Sequence, residues 1–153
     1  MDVVLGLGAA GCRIAEQFSA YPQYKVYKVD AELDGKNCLS LPAGISHQEY
    51  EQELPDISKF MKNIPDGDIL FVVSGAGYVS GASLKILEHL KDRKINVLYI
   101  KPDPDLISGD RVLQERLVYR VFQEYARSGV FERMYLVYNP SLEKLLGDVV
   151  LNE

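Results

Sequence analysis

The chain has 153 residues, of which 47% are hydrophobic and 25% charged, and its formal net charge at pH 7 is −5. This length allows one domain with a sizeable core. The acidic balance, with no basic cluster longer than two residues, disfavours nucleic acid as a partner. No apolar run approaches the length of a membrane span and no signal peptide precedes the first apolar segment, so we expect a cytoplasmic protein.

Short apolar runs alternate with helical patterns along the chain. In chain order the sequence predicts strand 3–5, helix 12–18, strand 25–29, a loop-like stretch 31–46, a helix starting at Pro55, strand 68–73, helix 83–91, strand 95–100, helix 110–127, strand 134–138 and a short helix 142–146. Strands that alternate with helices predict βαβ units. We therefore expect an α/β fold, a Rossmann-like three-layer sandwich whose mostly parallel sheet carries helices on both faces.

Two glycine-rich stretches each follow a predicted strand and open a predicted helix. The first is Gly6-Leu7-Gly8-Ala9-Ala10-Gly11, and the second is Ser74-Gly75-Ala76-Gly77-Tyr78-Val79-Ser80-Gly81. Backbone N–H groups of such a turn, together with the helix dipole, favour a bound phosphate. In parallel sheets the ligand lies outside the carboxyl ends of the strands, where both stretches are expected. Two such turns indicate a nucleotide held from both sides.

The first stretch also fits the dinucleotide fingerprint. It reads G-x-G-x-x-G after a first strand, and Asp30 ends the second predicted strand. An NAD(P)-binding Rossmann domain of an oxidoreductase is therefore one interpretation. A tight packing turn that needs glycine only for backbone shape is the alternative. We can place neither a catalytic residue near a nicotinamide nor a substrate domain in this sequence.

Several segments together resemble the N-terminal nucleotide-binding domain of the tubulin/FtsZ superfamily of GTPases. Residues 8–14 (GAAGCRI) resemble the first loop of tubulins, G-Q-C-G-N-Q-I, and residues 29–31 (VDA) resemble the T-D-A that ends the second strand in FtsZ. Residues 71–83 resemble the family signature, in which an apolar strand runs into G-x-G-G-G-T-G-[ST]-G. Residues 136–142 (LVYNPSL) resemble the I-P-N-D-x-L segment. The order of these segments fits, and the resemblance covers essentially the whole chain.

The resemblance implies GTP or GDP as the ligand, with or without Mg²⁺, and self-association into filaments. It implies that the first loop and the end of the second strand contact the phosphates, that the signature loop holds the β- and γ-phosphates, that the first residue of the long helix contacts the ribose, and that one asparagine contacts the guanine. The residues carried over are Gly8, Ala10, Gly11, Cys12, Arg13, Asp30, Gly75, Ala76, Gly77, Ser80, Gly81, Asp110 and Asn139.

Three features depart from the family pattern. Tyr78 and Val79 stand where the signature has glycines, and a β-branched residue tolerates positive φ poorly. Arg13 stands where the family has an amide. Residues 1–153 match only the N-terminal half of the family unit, without its second domain or the G-x-x-N-x-D segment that completes the catalytic site. We therefore expect weak or no hydrolysis by this chain alone, and a nucleotide-free tubulin-like scaffold stays open as an alternative.

Overall fold

The computed structural model describes residues 2–43, 46–103, 105 and 107–138. Within them, six parallel strands form one sheet in the order β3-β2-β1-β4-β5-β6. The strands are β1 (Val3–Leu7), β2 (Lys25–Ala31), β3 (Cys38–Leu41), β4 (Ile69–Val73), β5 (Ile95–Lys101) and β6 (Arg133–Tyr138). The expected parallel α/β sheet is confirmed.

The strand order reverses between β1 and β4. From this pair the chain builds outwards to β2 and β3 on one side, and to β5 and β6 on the other. Leu7 at the end of β1 pairs with Val73 at the end of β4, and Val73 pairs in turn with Tyr99. The loops after β1 and β4 therefore leave the same edge side by side, and a crevice at such a switch point is where α/β sheets bind ligands.

Helices cover both faces of the sheet. They are α1 (Gly8–Gln17), α2 (His47–Gln52), α3 (Ser58–Lys62), α4 (Ser83–His89) and α5 (Asp110–Arg127), and short 3-10 segments span Phe18–Ala20 and Tyr78–Ala82. Side chains of a strand alternate between faces. Val4, Leu70 and Val72 form a cluster with Ala15 of α1. The larger core, on the other face, packs against the remaining helices, so the three layers of the predicted sandwich are present.

Several elements differ from the sequence prediction. Helix α2 (His47–Gln52) was not predicted, and α3 begins at Ser58 rather than at Pro55. The stretch 31–46, predicted as loop, contains β3, a four-residue edge strand whose polar Ser40 and flanking Gly35 and Pro42 obscure its pattern. Helix α1 begins at Gly8, directly after β1, rather than at residue 12. Gly129, at φ 84°, follows the last residues of α5 as the predicted C′ glycine. The predicted helix 142–146 lies outside the described residues.

Candidate functional site

The turn between β1 and α1 is as short as the backbone allows. Gly8 has φ +78°, and a Cβ placed on it would meet no atom within 4 Å. Because α1 begins here, the N–H groups of its first four residues, 8–11, have no partner within the helix. This end of α1 therefore presents donors without an intrahelical partner, and the positive end of the helix dipole, to the crevice beside β4.

The other two glycines of the first motif are packing residues. A Cβ on Gly6 would lie 2.5 Å from the carbonyl oxygen of Gly11. A Cβ on Gly11 would collide with the carbonyl oxygen of Val72 in β4. These glycines let α1 approach β1 and β4 closely, so the dinucleotide-like spacing is explained by packing as well as by ligand contact. The Gly11 N–H still belongs to the first turn of α1.

Cys12 and Asp30 lie together where α1 faces the end of β2. The Cys12 thiol is buried and donates to the carbonyl oxygens of Gly6, at 3.5 Å, and Val29, at 3.4 Å. Burial, and next the charge of Asp30, raise the pKa of Cys12 to about 12, so the thiol is neutral at pH 7. Asp30 is half-buried and accepts from the N–H of Ala31 at 2.8 Å. The effect of its charge on Cys12 shows that Asp30 lies near α1, and its contact with a phosphate stays a prediction.

The remaining α1 candidates differ in exposure. Ala10 is half-buried and Arg13 is exposed on the helix surface. Arg13 can therefore reach an anion only from the outer side of α1. Their assignment to a ligand stays a prediction.

The loop after β4 has a shape that accommodates Tyr78 and Val79. From Ser74 to Ala82 no residue has positive φ, so the β-branched Val79 is not strained and instead packs into the core. Tyr78 is 49% exposed, with the Arg111 guanidinium 5.6 Å from its ring centre. Gly77 is the open point of the loop, since a Cβ there would meet nothing within 4 Å.

Much of the expected phosphate cradle is engaged in contacts within the protein. Ser80 is buried, and its hydroxyl donates to the carbonyl oxygen of Gly77 at 2.7 Å. A Cβ on Gly75 would collide with the hydroxyl of Tyr99, and one on Gly81 with the carbonyl oxygen of His47. Ala76 is also buried. Of the five candidates in this loop, Gly77 faces open space, and the other four are packed against the protein.

Side chains from the first turns of α5 hold the loop that follows β4, residues 74–82, which we call the β4 loop. The Gln114 amide donates to the carbonyl oxygens of Gly75, at 2.8 Å, and Gly77, at 3.0 Å. The Arg111 guanidinium donates to the carbonyl oxygen of Ala76 at 3.0 Å. Three consecutive carbonyls are thus turned towards α5. The N–H of Ala76 is itself paired within the loop, with the Ser74 hydroxyl at 3.4 Å.

A buried polar cluster lies next to the contacts that Arg111 and Gln114 make with the loop. Glu115 is 5% exposed and accepts a 3.0 Å hydrogen bond from the Tyr99 hydroxyl. It also forms an ion pair with Lys101, with 3.2 Å between the ammonium nitrogen and a carboxylate oxygen. The Lys101 ammonium also lies 4.0 Å from the ring centre of Tyr119, which stacks on Tyr99. Burial and the neighbouring Glu115 raise the pKa of Tyr99. The cluster ties the end of β5 to α5 and supports the loop from below.

Of the last two candidates, Asp110 and Asn139, the structure describes one. Asp110 is exposed at the first position of α5, where a carboxylate complements the helix dipole. Asn139 lies outside the described residues. The structure therefore brings Gly8, Asp30 and the β4 loop to one edge of the sheet, with Asp110 on the outer side of that loop.

Sequence reasoning missed the α5 side chains that hold the loop. One signal was available: Glu115 precedes the apolar Val118 and Phe122 by three and seven residues, which places a carboxylate on the buried face of the predicted helix. A buried charge needs a partner. The partners, Tyr99 and Lys101, come from the preceding strand and are not identifiable by spacing.

Comparisons with known proteins bear on the fold. No protein-family model matches the chain, and no curated protein matches it. A solved structure, CetZ1 of Haloferax volcanii described as a GDP-bound monomer, matches with a TM-score of 0.71 and 17% sequence identity over 91% of this chain. CetZ1 belongs to the tubulin/FtsZ family.

The chain has a tubulin/FtsZ-like fold. It covers 51% of CetZ1, so it spans about half the length of that protein. The tubulin-like resemblance seen in the sequence is thereby confirmed at the level of the fold. In the described residues, no helix is long and apolar enough to cross a membrane.

Proposed function

We propose that this chain binds a guanine nucleotide, GDP or GTP, at the carboxyl ends of β1 and β4, as part of a tubulin/FtsZ-like filament protein. The observation that carries the proposal is the meeting of two turns at the switch point: the unpaired first turn of α1 at Gly8 and the open Gly77 of the β4 loop. The fold is shared with a protein described with GDP bound.

The packing around the β4 loop supports this ligand. Arg111 and Gln114 turn the loop carbonyls towards α5, so an approaching phosphate meets less of their negative ends. Asp30, whose charge acts on Cys12 of α1, is the carboxylate that we expect on the side where a metal ion would accompany the phosphates. The described residues contain no group of three or more His, Cys, Asp or Glu that could hold a metal. A Mg²⁺ would therefore take most of its ligands from phosphate and water.

We expect the isolated chain to hydrolyse GTP weakly or not at all. Its sequence lacks a G-x-x-N-x-D segment, which the family resemblance implies as the source of the water-positioning carboxylate. Filament formation and the cytoplasmic location expected from the sequence stay predictions.

A nucleotide-free scaffold is the second candidate, and one observation favours it. Four of the five β4-loop candidates are packed within the protein, and the Ser80 hydroxyl donates to a backbone carbonyl inside the loop. Such a loop can be stable without a ligand. The oxidoreductase alternative has the same strand order, so the same experiment must also include a nicotinamide nucleotide.

Thermal unfolding with each nucleotide tests the proposal. At one hundred times Kd, GDP or GTP should raise the Tm by about 5 °C or more, whereas NAD⁺ should not. Gly77→Val removes the shift, because φ −83° and ψ 146° suit valine and its side chain enters the open space over the loop.

Gln23→Val, at the opposite end of the sheet, is the control and should keep the shift. A shift with NAD⁺ alone would transfer the proposal to the oxidoreductase class. No shift with any nucleotide, and none co-purifying with the protein, would favour the scaffold.

A further inference from the structure

A groove of about 690 Å³ lies between α2 and α5. Its floor is the buried back of the 3-10 segment and the start of α4, including Ser80, Gly81 and Ser83. Helix α4 is only seven residues long and its start is buried, so α2 and α5 form the two sides of the groove. No residue of α1 lines this groove, whereas three of the nucleotide candidates, Ser80, Gly81 and Asp110, do, so the groove adjoins the proposed site at the β4 loop.

The α5 wall of this groove is an exposed apolar stripe. Leu113, Leu117 and Val121 follow each other at intervals of four residues and are 60%, 54% and 36% exposed. The apolar residues that α5 contributes to the core, Val118 and Phe122, lie beside the stripe and line the same groove, so the apolar surface of α5 extends beyond the core. An exposed apolar surface of this kind is normally covered by a partner. Within the part of the chain that the structure describes, nothing covers the stripe.

The charges on the two sides of the stripe have opposite sign. Glu51 of α2 lines the groove, and no lysine or arginine is among its described lining residues. Burial lowers the pKa of His47 in the same wall, so its imidazole adds no positive charge at pH 7. On the other side of the stripe, away from the groove, Arg116 and Arg120 are exposed.

Two copies of this surface can face each other with opposite charges in contact, but only for one orientation of the two-fold axis that relates them. A two-fold axis parallel to α5 places two stripes face to face with the helices parallel, and it exchanges left and right. The arginine side of each copy then lies over the acidic groove of the other. A two-fold axis perpendicular to α5 would instead oppose arginine with arginine and carboxylate with carboxylate, which is unfavourable.

We propose that the stripe formed by Leu113, Leu117 and Val121 is the contact surface for a second copy of this chain. The two α5 helices pack in parallel about a two-fold axis. Arg116 and Arg120 of each copy enter the α2–α5 groove of the other and pair with Glu51. This contact does not use Gly8 or Gly77, on which the proposed nucleotide site rests, and it forms in the absence of nucleotide.

Sedimentation equilibrium of the full chain without nucleotide provides the first test. The wild type is expected to show a concentration-dependent monomer–dimer equilibrium. Leu117→Lys should raise the dimer Kd about tenfold or more, because it places a charge in the centre of the contact. Tyr21→Lys is the matched control, since Tyr21 is 55% exposed, close to Leu117 at 54%, and follows the 3-10 segment Phe18–Ala20. It should leave the Kd unchanged.

A charge exchange tests the two-fold geometry. Glu51→Arg and Arg120→Glu should each weaken the homodimer, because both pairs then have like charges. An equimolar mixture of the two variants should form a heterodimer of near wild-type affinity, since one pair is native and the other is reversed. Circular dichroism confirms that each variant is folded.

Three results would overturn the proposal. The wild type could remain a monomer at all concentrations up to about 1 mM, the weak limit of a specific contact. The mixed charge variants could stay monomeric. Leu117→Lys could lower the Tm of a monomer without changing its mass, which would indicate that a segment of the same chain covers the stripe. None of these results depends on nucleotide, so the proposed function is tested separately.

Discussion

The hydroxyl of Tyr99 donates a 3.0 Å hydrogen bond to a carboxylate oxygen of Glu115. Both residues are almost completely buried, and the same carboxylate pairs with Lys101. The Tyr99 hydroxyl also lies against Gly75, so one phenol contacts both the α5 carboxylate and the first glycine of the β4 loop. The stability of α5 and the shape of the loop are therefore linked through a single side chain.

Tyr99→Phe should lower the free energy of unfolding by about 2 kcal/mol. The ring and its stacking on Tyr119 are kept, so the loss comes from a buried carboxylate that has one donor fewer. Urea denaturation of both proteins measures the difference. Tyr119→Phe is the control, because its half-buried ring stays stacked, and it should cost under about 0.5 kcal/mol. Equal effects of the two substitutions would contradict the role of the Tyr99–Glu115 bond.

Gln114→Met should loosen the β4 loop while leaving the global stability nearly unchanged. Methionine keeps the length of the side chain but cannot donate to the carbonyl oxygens of Gly75 and Gly77. Hydrogen exchange of the loop amides should become about tenfold faster. Gln123→Met, on the same helix but distant from the loop, should not change this exchange. Unchanged exchange in Gln114→Met would show that Arg111 and Tyr99 suffice to hold the loop.

The glycines of the two turns should respond differently to alanine. Gly11→Ala forces a Cβ against the backbone oxygen of Val72, which cannot move without displacing β4, so we expect a loss of about 2–3 kcal/mol. Gly77→Ala places its Cβ in open space at negative φ and should be neutral within about 0.5 kcal/mol. Thermal or urea unfolding compares the two. A neutral Gly11→Ala would contradict the close approach of α1 to β4.

Local patterns in the sequence were sufficient for most of the fold. The apolar runs that became β1, β4 and β5 and the long periodic stretch that became α5 each identify one element. β3 was missed, because four residues at a sheet edge bury one side chain fully, Leu41, and carry too little periodicity. The tubulin-like pattern predicted the fold that the comparison confirmed, although identity to CetZ1 is only 17%.

The candidate site was less predictable, because glycine has several uses. The sequence could not distinguish Gly8, which needs its positive φ, from Gly11, which is required by contact with β4. It also could not indicate that Ser80 would donate within its own loop. The residues that shape the loop, Arg111 and Gln114, come from a helix more than thirty positions later. Such contacts depend on tertiary packing and have no local signature.

The buried thiol of Cys12 should make stability dependent on pH above about 9. Burial raises its pKa from 9.0 to about 12 in the folded protein. The unfolded chain therefore loses this proton first as the pH rises, and the folded state, which retains it, loses stability between these two values. Below pH 9 both states hold the proton and the contribution is constant. The steepest slope expected for one group is about 1.4 kcal/mol per pH unit.

Comparison with Cys12→Ser isolates this titration. Serine can still donate to the carbonyl oxygens of Gly6 and Val29 but does not ionise in this range. The buried Tyr99, whose pKa is also raised, titrates equally in both proteins and cancels in the difference. Urea denaturation from about pH 8 to pH 10.5 should show the wild type losing stability relative to Cys12→Ser as the pH increases. Parallel curves for wild type and Cys12→Ser would show that the thiol ionises as easily in the folded protein as in the unfolded chain.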